Sequence, residues 1–126
     1  MSEHQEQAAL FEWASLVQNR YPELRLLFAI PNGGLRNKVV AAKLKAEGVK
    51  PGVPDIFLPV PRGGWHGLCI EMKTKSGTVS KAQEGWLRAL GGQGYNARSV
   101  SEWEEARHII ECYLSMEKEE APDANA

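Results

Sequence analysis

The strongest constraint on the fold is a pair of short apolar runs separated by a glycine-rich turn. DIFLPV (55–60) and LCIEMKTK (68–75) are joined by PRGGWHG, a pattern that predicts a β-hairpin. Side chains alternate along a strand, so Glu71 and Lys73 should point to the same face. Antiparallel pairing brings the start of the first strand next to the end of the second. Asp55 is therefore expected beside Glu71.

These charged residues also have purely structural explanations. An Asp flanked by Pro and Gly is common in turns, and charges such as those of Glu71 and Lys73 protect edge strands from aggregation. The convergence of two carboxylates and an ammonium favours a functional site over these structural explanations. Two carboxylates with a backbone carbonyl between them suit Mg²⁺ or Mn²⁺, which would polarise a phosphoryl oxygen and activate a bound water. Lys73 would position or deprotonate that water, or neutralise charge on the phosphorus.

The remaining chain alternates helical and strand patterns. Helices are predicted at 3–21, 36–47, 81–94 and 101–114, and further strands at 24–30 and 95–100. In the helix at 36–47, Val39, Val40, Ala42 and Leu44 are expected to pack. Ser80 and Ser101 are predicted N-caps, the latter in a capping box with Glu104. The order α-β-α-β-β-α-β-α predicts an α/β fold in which helices flank a mixed sheet. We expect one domain at 1–116, followed by an acidic disordered tail at 117–126.

The composition is that of a soluble globular protein. Of 126 residues, 43% are hydrophobic and 25% charged, and no apolar run approaches the roughly 20 residues of a membrane span. The polar opening MSEHQEQ does not resemble a signal peptide. Cys69 and Cys112 lack metal-ligand spacing and predict reduced thiols. We therefore expect a cytoplasmic protein without a membrane partner.

Basic residues cluster in one stretch, although the net charge is −1. Within 36–50 a single acid, Glu47, stands among five basic residues, namely Arg36, Lys38, Lys43, Lys45 and Lys50. This stretch is either a phosphate-binding surface or a solvated helix face.

A family resemblance sharpens these expectations. Pro54-Asp55 followed by Glu71-Met72-Lys73 resembles the PD-(D/E)XK nuclease signature. With PNGG, GVPDIFL, IEMKTKSGTVSKAQ and GY before the last strand, the chain is similar to the VRR-NUC (virus-type replication-repair nuclease) branch, in its stand-alone phage or bacterial form. The resemblance covers about 3–114 and implies a restriction-endonuclease-like fold.

The resemblance also implies roles for individual residues. Asp55 and Glu71 match metal-binding carboxylates, with the Met72 carbonyl as a further ligand. Lys73 matches the catalytic lysine. Gln83, on the helix after the hairpin, matches a glutamine expected to orient water or phosphate.

A glutamate on the first helix completes the implied catalytic set. Glu3, followed by Gln7, fits the family spacing better than Glu6, which lies on nearly the same face. DNA contacts are expected from four basic residues, namely Arg36, Lys38, Lys75 and Lys81.

The resulting expectation is a Mg²⁺- or Mn²⁺-dependent DNA endonuclease. The resemblance implies cleavage to a 5′ phosphate, a homodimer, and a role on branched, flap or Holliday-junction DNA, as in DNA repair. Two alternatives stay open: a non-catalytic nucleic-acid-binding module using the basic stretch, and a restriction-type endonuclease that reads a short sequence.

Overall fold

The mixed α/β fold predicted from the sequence is confirmed. A computed structural model describes residues 1–31, 37–73 and 76–118. Its elements, in chain order, are α1 (Glu3–Leu16), a 3₁₀ helix (Pro22–Leu26), β1 (Phe28–Ala29), α2 (Lys38–Ala46), β2 (Ile56–Leu58), β3 (Leu68–Met72), α3 (Lys81–Gly92), β4 (Asn96–Val100) and α4 (Trp103–Leu114).

The four strands form one mixed sheet in the order β1-β2-β3-β4. β2 and β3 form the expected antiparallel hairpin, with Ile56 opposite Ile70 and Phe57 opposite Cys69. β1 pairs antiparallel with β2. β4 runs parallel to β3, and α3 supplies the crossover that a parallel pair requires.

The central strand β3 is buried on both faces, and alternation assigns its residues to two different environments. Leu68, Ile70 and Met72 are at most 1% exposed and join the core with Leu10 of α1 and Ile110 of α4. Cys69 and Glu71, although equally sequestered, must point to the opposite face. The carboxylate of Glu71 is therefore directed away from the apolar core.

The predicted strand at 24–30 is mostly wrong. Residues Pro22–Leu26 form a 3₁₀ helix, and only Phe28–Ala29 are extended. The buried positions in this run are Leu24 and Leu27, and a spacing of three matches the 3₁₀ repeat rather than the strand repeat of two. Pro22 favours the start of such a turn because its φ is fixed.

The helix predicted at 36–47 exists, but it does not pack as expected. It begins after Asn37, whose side chain accepts a hydrogen bond from the Val40 N–H at 2.8 Å, and ends at Ala46. None of its nine residues, all of them described, is buried, and Val39 is 66% exposed. The expected packing of Val39 and Val40 is therefore wrong.

The predicted capping box of the last helix is also wrong. Glu102 occupies the N-cap position and its side chain makes no capping bond. Instead Glu6 of α1, 8% exposed, accepts a hydrogen bond from the Trp103 N–H at 2.7 Å. An acidic side chain from α1 thus caps α4, where the partial positive charge of a helix N-terminus favours it.

The start of the acidic tail lies against the hairpin turn. The Gly63 N–H donates to the Glu117 carbonyl at 2.8 Å, and Lys118 forms a β-bridge with Arg62. Residues 119–126 lie outside the described part of the chain, so the disorder expected at 117–126 stays a prediction. Within the described ranges, no helix combines the length and the apolar character that crossing a membrane requires.

We predict that Glu6→Ala destabilises the protein by about 1–3 kcal/mol, because it leaves the Trp103 N–H without its acceptor. Urea denaturation followed by circular dichroism measures the loss. Glu12→Ala, an exposed site on the same helix, is the matched control and should change the free energy of unfolding by no more than about 0.5 kcal/mol. Equal losses in both variants would show that the contact between α1 and α4 contributes nothing.

Candidate active site

The predicted convergence of charged groups at one end of the hairpin is present. Asp55 directly precedes β2, and its Oδ2 accepts a hydrogen bond from the Met72 N–H at 2.9 Å. Lys73 follows β3, with its Nζ 3.8 Å from Oε1 of Glu71. The side chain of Met72 packs in the core. The structure thus gathers two carboxylates, one ammonium and the Met72 backbone at a single mouth of the sheet.

Gln83 joins this group through the carboxylate of Glu71. Its Nε2 donates to Glu71 Oε1 at 2.5 Å, and its Oε1 accepts from the Ser80 N–H at 2.9 Å. Ser80 in turn accepts from the Gln83 N–H at 3.2 Å, which confirms the predicted N-cap of α3. The capping box holds Gln83 at the start of α3, and from there its amide orients Glu71.

Gly52 brings the Asp55 loop close to the first turn of α3. Its φ is +89°, and a Cβ placed there would lie 2.7 Å from the Ala82 carbonyl carbon. Only glycine combines this conformation with so close an approach. The loop that carries Asp55 and the helix that carries Gln83 are therefore packed together, a constraint that the simple motif spacing did not reveal.

Burial sets the proton affinity of both carboxyl groups. Glu71 is 2% exposed, and burial raises its pKa to about 7, assisted by the neighbouring Asp55 and opposed by Lys73. Burial likewise raises the pKa of Asp55, while the Met72 N–H lowers it and the charge of Glu3 raises it.

The donor set fits a hard divalent cation. Oε2 of Glu71 is buried and has no hydrogen-bond partner among the described residues, and such an oxygen is normally compensated by a donor or a cation. Over 1–31, 37–73 and 76–118, no three His, Cys, Asp or Glu side chains form a complete metal cage. The two carboxylates would therefore need backbone, water or substrate oxygens as further ligands, the arrangement typical of Mg²⁺.

Glu3 and Glu6 of α1 are directed to different places. Glu3 is exposed and lines a cavity of about 340 Å³ together with Asp55. Glu6 is buried and caps α4. Of the two candidates considered from the sequence, only Glu3 faces the site.

Two of the four expected DNA-contacting residues can be placed. Lys38 and Lys81 are exposed at the first positions of α2 and α3. Arg36 and Lys75 lie outside the described residues.

The cavity beside Asp55 contains residues that sequence reasoning did not select. Ala8 and Phe11 line it with Glu3 and Gln7. Glu3, Gln7 and Phe11 follow each other at intervals of four, which places them on one helical face. This spacing was visible in the sequence, but the position of the face opposite Asp55 was not.

The raised pKa of Glu71 predicts a pH-dependent stability of the metal-free protein. The folded state retains a proton up to pH about 7, whereas the unfolded chain releases it near 4.5. The free energy of unfolding should therefore fall as pH rises from 4.5 to 7. Glu71→Gln cannot ionise, so its stability should fall less over this window.

Urea denaturation at several pH values in EDTA tests this difference. Adding Mn²⁺ at pH 8, where the carboxylate is ionised, should stabilise the wild type more than Glu71→Gln. If the free energy of unfolding varies with pH in the same way in the wild type and in Glu71→Gln, the raised pKa of Glu71 is contradicted.

Comparison with known proteins agrees with this geometry. The family profile described as VRR-NUC domain matches residues 1–101, a range that contains all the site residues described above. A solved structure described as a VRR_NUC domain protein is similar with a TM-score of 0.81 and 25% sequence identity, over 94% of this chain and 92% of that chain. No curated protein matches the chain. With its mixed sheet and with two carboxylates, a lysine and a glutamine at one mouth, the chain belongs to the VRR-NUC family and has a nuclease-type fold.

Proposed function

We propose that the protein is a Mg²⁺- or Mn²⁺-dependent endonuclease that hydrolyses phosphodiester bonds in DNA. The observation that carries the proposal is the buried carboxylate of Glu71 beside Asp55 and Lys73, whose Oε2 has no hydrogen-bond partner among the described residues. Lys73 compensates this charge only in part, because the pKa of Glu71 is still raised to about 7, and a divalent cation would compensate it further. Membership of the VRR-NUC family supports the same reading.

Asp55, Glu71 and the Met72 carbonyl would hold the cation. When bound, Mg²⁺ or Mn²⁺ supplies Lewis acidity towards a phosphoryl oxygen and makes a nearby water more acidic. Asp55 keeps one oxygen bonded to the Met72 N–H, which fixes the orientation of its carboxylate.

Gln83 has a positioning role. By donating to Oε1 of Glu71, it fixes the rotation of the carboxylate and leaves Oε2 available to a cation. Such supporting hydrogen bonds orient metal ligands.

Lys73 is the group best placed to act on the water. Its side chain is 15% exposed and lies 3.8 Å from Glu71, so the amine is held by the carboxylate while it still reaches solvent. Lys73 orients the attacking water as an ammonium, or takes its proton as a neutral amine. Attack on phosphorus breaks the bond to the 3′ oxygen, which leaves as a hydroxyl after it gains a proton from solvent water, and the other product carries a 5′ phosphate.

Selectivity for branched, flap or junction DNA is proposed to come from the shape of the binding surface. The Ile30 N–H donates to the Asp55 carbonyl at 2.7 Å, so the segment between these residues begins and ends at the mouth of the site. This segment contains α2, with exposed lysines at Lys38, Lys43 and Lys45. Lys81 adds a further exposed positive charge two residues before Gln83. Exposed lysines on a segment anchored at the mouth are suited to contact phosphates beyond the cut.

We predict that Lys73→Ala and Glu71→Ala reduce cleavage of flap or junction DNA at least about a hundredfold in Mg²⁺ or Mn²⁺. Gln83→Ala should reduce it about 10- to 100-fold. Lys118→Ala, an exposed lysine next to the hairpin turn, is the matched control. Denaturing gels of labelled duplex, flap and four-way junction DNA provide the measurement.

Other outcomes of this assay select the alternatives. Unchanged cleavage by Lys73→Ala and Glu71→Ala would reject the proposed site. Binding without cleavage in any divalent cation would establish a non-catalytic nucleic-acid-binding module. Discrete bands from plasmid DNA would establish a restriction-type endonuclease.

A homodimer is proposed as well, because paired sites could address two strands of a branched substrate. The support is the exposure of apolar side chains on the 3₁₀ helix, β1 and α2: Leu26 (53% exposed), Phe28 (46%) and Val39 (66%). A helix of nine residues is marginal without packing, and a second copy would provide it.

We predict a solution mass of about twice 14.0 kDa at micromolar concentration, measured by size-exclusion chromatography with light scattering. Val39→Lys should shift the protein towards monomer, whereas Leu16→Lys, at an exposed apolar site on α1, should not. A monomer at every concentration would contradict the proposed dimer.

A further inference from the structure

The cavity beside Asp55 adjoins the proposed cleavage site, with which it shares Asp55. It has a volume of about 340 Å³ and is lined by Glu3, His4, Gln7, Ala8, Phe11 and Asp55. The five residues from α1 share one face of the helix by their spacing. Because Asp55 forms one wall, a group in this cavity would sit next to the phosphate held at Asp55 and Glu71.

We propose that this cavity receives one unpaired nucleobase, from the nucleotide adjacent to the cleaved phosphate. The inference rests on the proposed nuclease function and deepens it, because it identifies a source of selectivity for branched DNA.

The walls of the cavity suit a planar, partly apolar ligand. Phe11 is partly buried and packed against the core, so its ring is held in place as a stacking surface. Bases stack on aromatic side chains with little dependence on sequence. Ala8 is small and leaves room above the helix, while Gln7 and His4 offer hydrogen-bonding groups to the base edge.

The charges of the cavity favour a neutral group over a second phosphate. Glu3 and Asp55 contribute two carboxylates, and none of the six described lining residues is a lysine or arginine. A phosphate not bound through the proposed cation would be repelled by this lining, whereas a base is neutral and its exocyclic amino groups can donate to a carboxylate.

The size of the cavity favours a base that has already left the duplex. A volume of 340 Å³ is at the lower end of the range of small-ligand pockets, about 300–1,000 Å³, and accommodates one nucleoside rather than a base pair. Extruding a base from a duplex costs unpairing and unstacking energy, and this cost is absent at a flap or junction. Binding of an unpaired base in the cavity thus increases the rate of cleavage of flap or junction DNA.

The test combines a cavity-filling variant with removal of the base. Ala8→Leu fills the cavity at an exposed position and keeps a good helix former. Ser15→Leu adds a leucine to an exposed site on the same helix outside the cavity and is the control. Each protein is assayed in Mn²⁺ for kcat/KM on a flap substrate, on the same flap with an abasic nucleotide beside the cut, and on matched duplex.

We expect Ala8→Leu to lower kcat/KM on the intact flap about tenfold or more, and Ser15→Leu to leave it unchanged. Base removal should lower the wild-type value by a similar factor but should affect Ala8→Leu much less, because the base no longer enters the cavity. The preference of Ala8→Leu for flap over duplex should shrink accordingly. If Ala8→Leu and base removal each lower kcat/KM by the same factor whether or not the other change is present, the inference is overturned.

A binding measurement separates this inference from the proposed activity. Flap DNA with 2-aminopurine beside the cut should change fluorescence on titration with wild type or Ser15→Leu in Ca²⁺, and much less with Ala8→Leu. If wild type cleaves no substrate but the fluorescence difference is present, the nuclease proposal fails and the cavity assignment stands. Equal fluorescence changes for all three proteins would overturn the cavity assignment even if cleavage is observed.

Discussion

The Glu71 carboxylate is buried in the central strand and depends on groups from two other segments of the chain and from the end of its own strand. Gln83 at the start of α3 holds one oxygen, Lys73 directly after β3 lies 3.8 Å away, and Asp55 faces it from the position before β2. Burial raises the pKa of Glu71 to about 7, which means that the ionised form is disfavoured in the folded protein without a compensating charge. The negative charge of Glu71 is therefore compensated only in part at this mouth, and the proposed divalent cation would compensate it and supply chemistry suited to phosphodiester hydrolysis.

The helices around the sheet stabilise the position of this carboxylate in different ways. α1 and α4 cover the apolar face and are joined by the hydrogen bond that the Trp103 N–H donates to Glu6. α3 lies where its capping box can present Gln83, and the close contact at Gly52 ties the Asp55 loop to the same turn. Neither carboxylate depends on a free loop for its position. Such rigidity suits a site that must hold ligand oxygens in a fixed arrangement.

The described residues near the proposed site differ in charge. The cavity beside Asp55 is lined by Glu3, Gln7 and Phe11, whereas α2 and the start of α3 expose lysines. A nucleic-acid strand carries neutral bases and anionic phosphates, so the cavity would favour the bases and the lysines the phosphates. This difference links the proposed base cavity to the proposed phosphate contacts.

The sequence by itself determined the hairpin, the convergence of Asp55, Glu71 and Lys73, and the Ser80 cap of α3. Each of these follows from alternation, antiparallel pairing or a capping pattern, which act over short distances or through a single turn. Only the tertiary structure decided between Glu3 and Glu6, because the contact that occupies Glu6 joins residues 97 positions apart. It also replaced the Ser101 cap by that contact, shortened the strand at 24–30, left α2 without buried residues, and placed the Gln83 amide on Glu71. These features depend on which surfaces meet when the sheet and helices assemble, and local patterns carry no information about that.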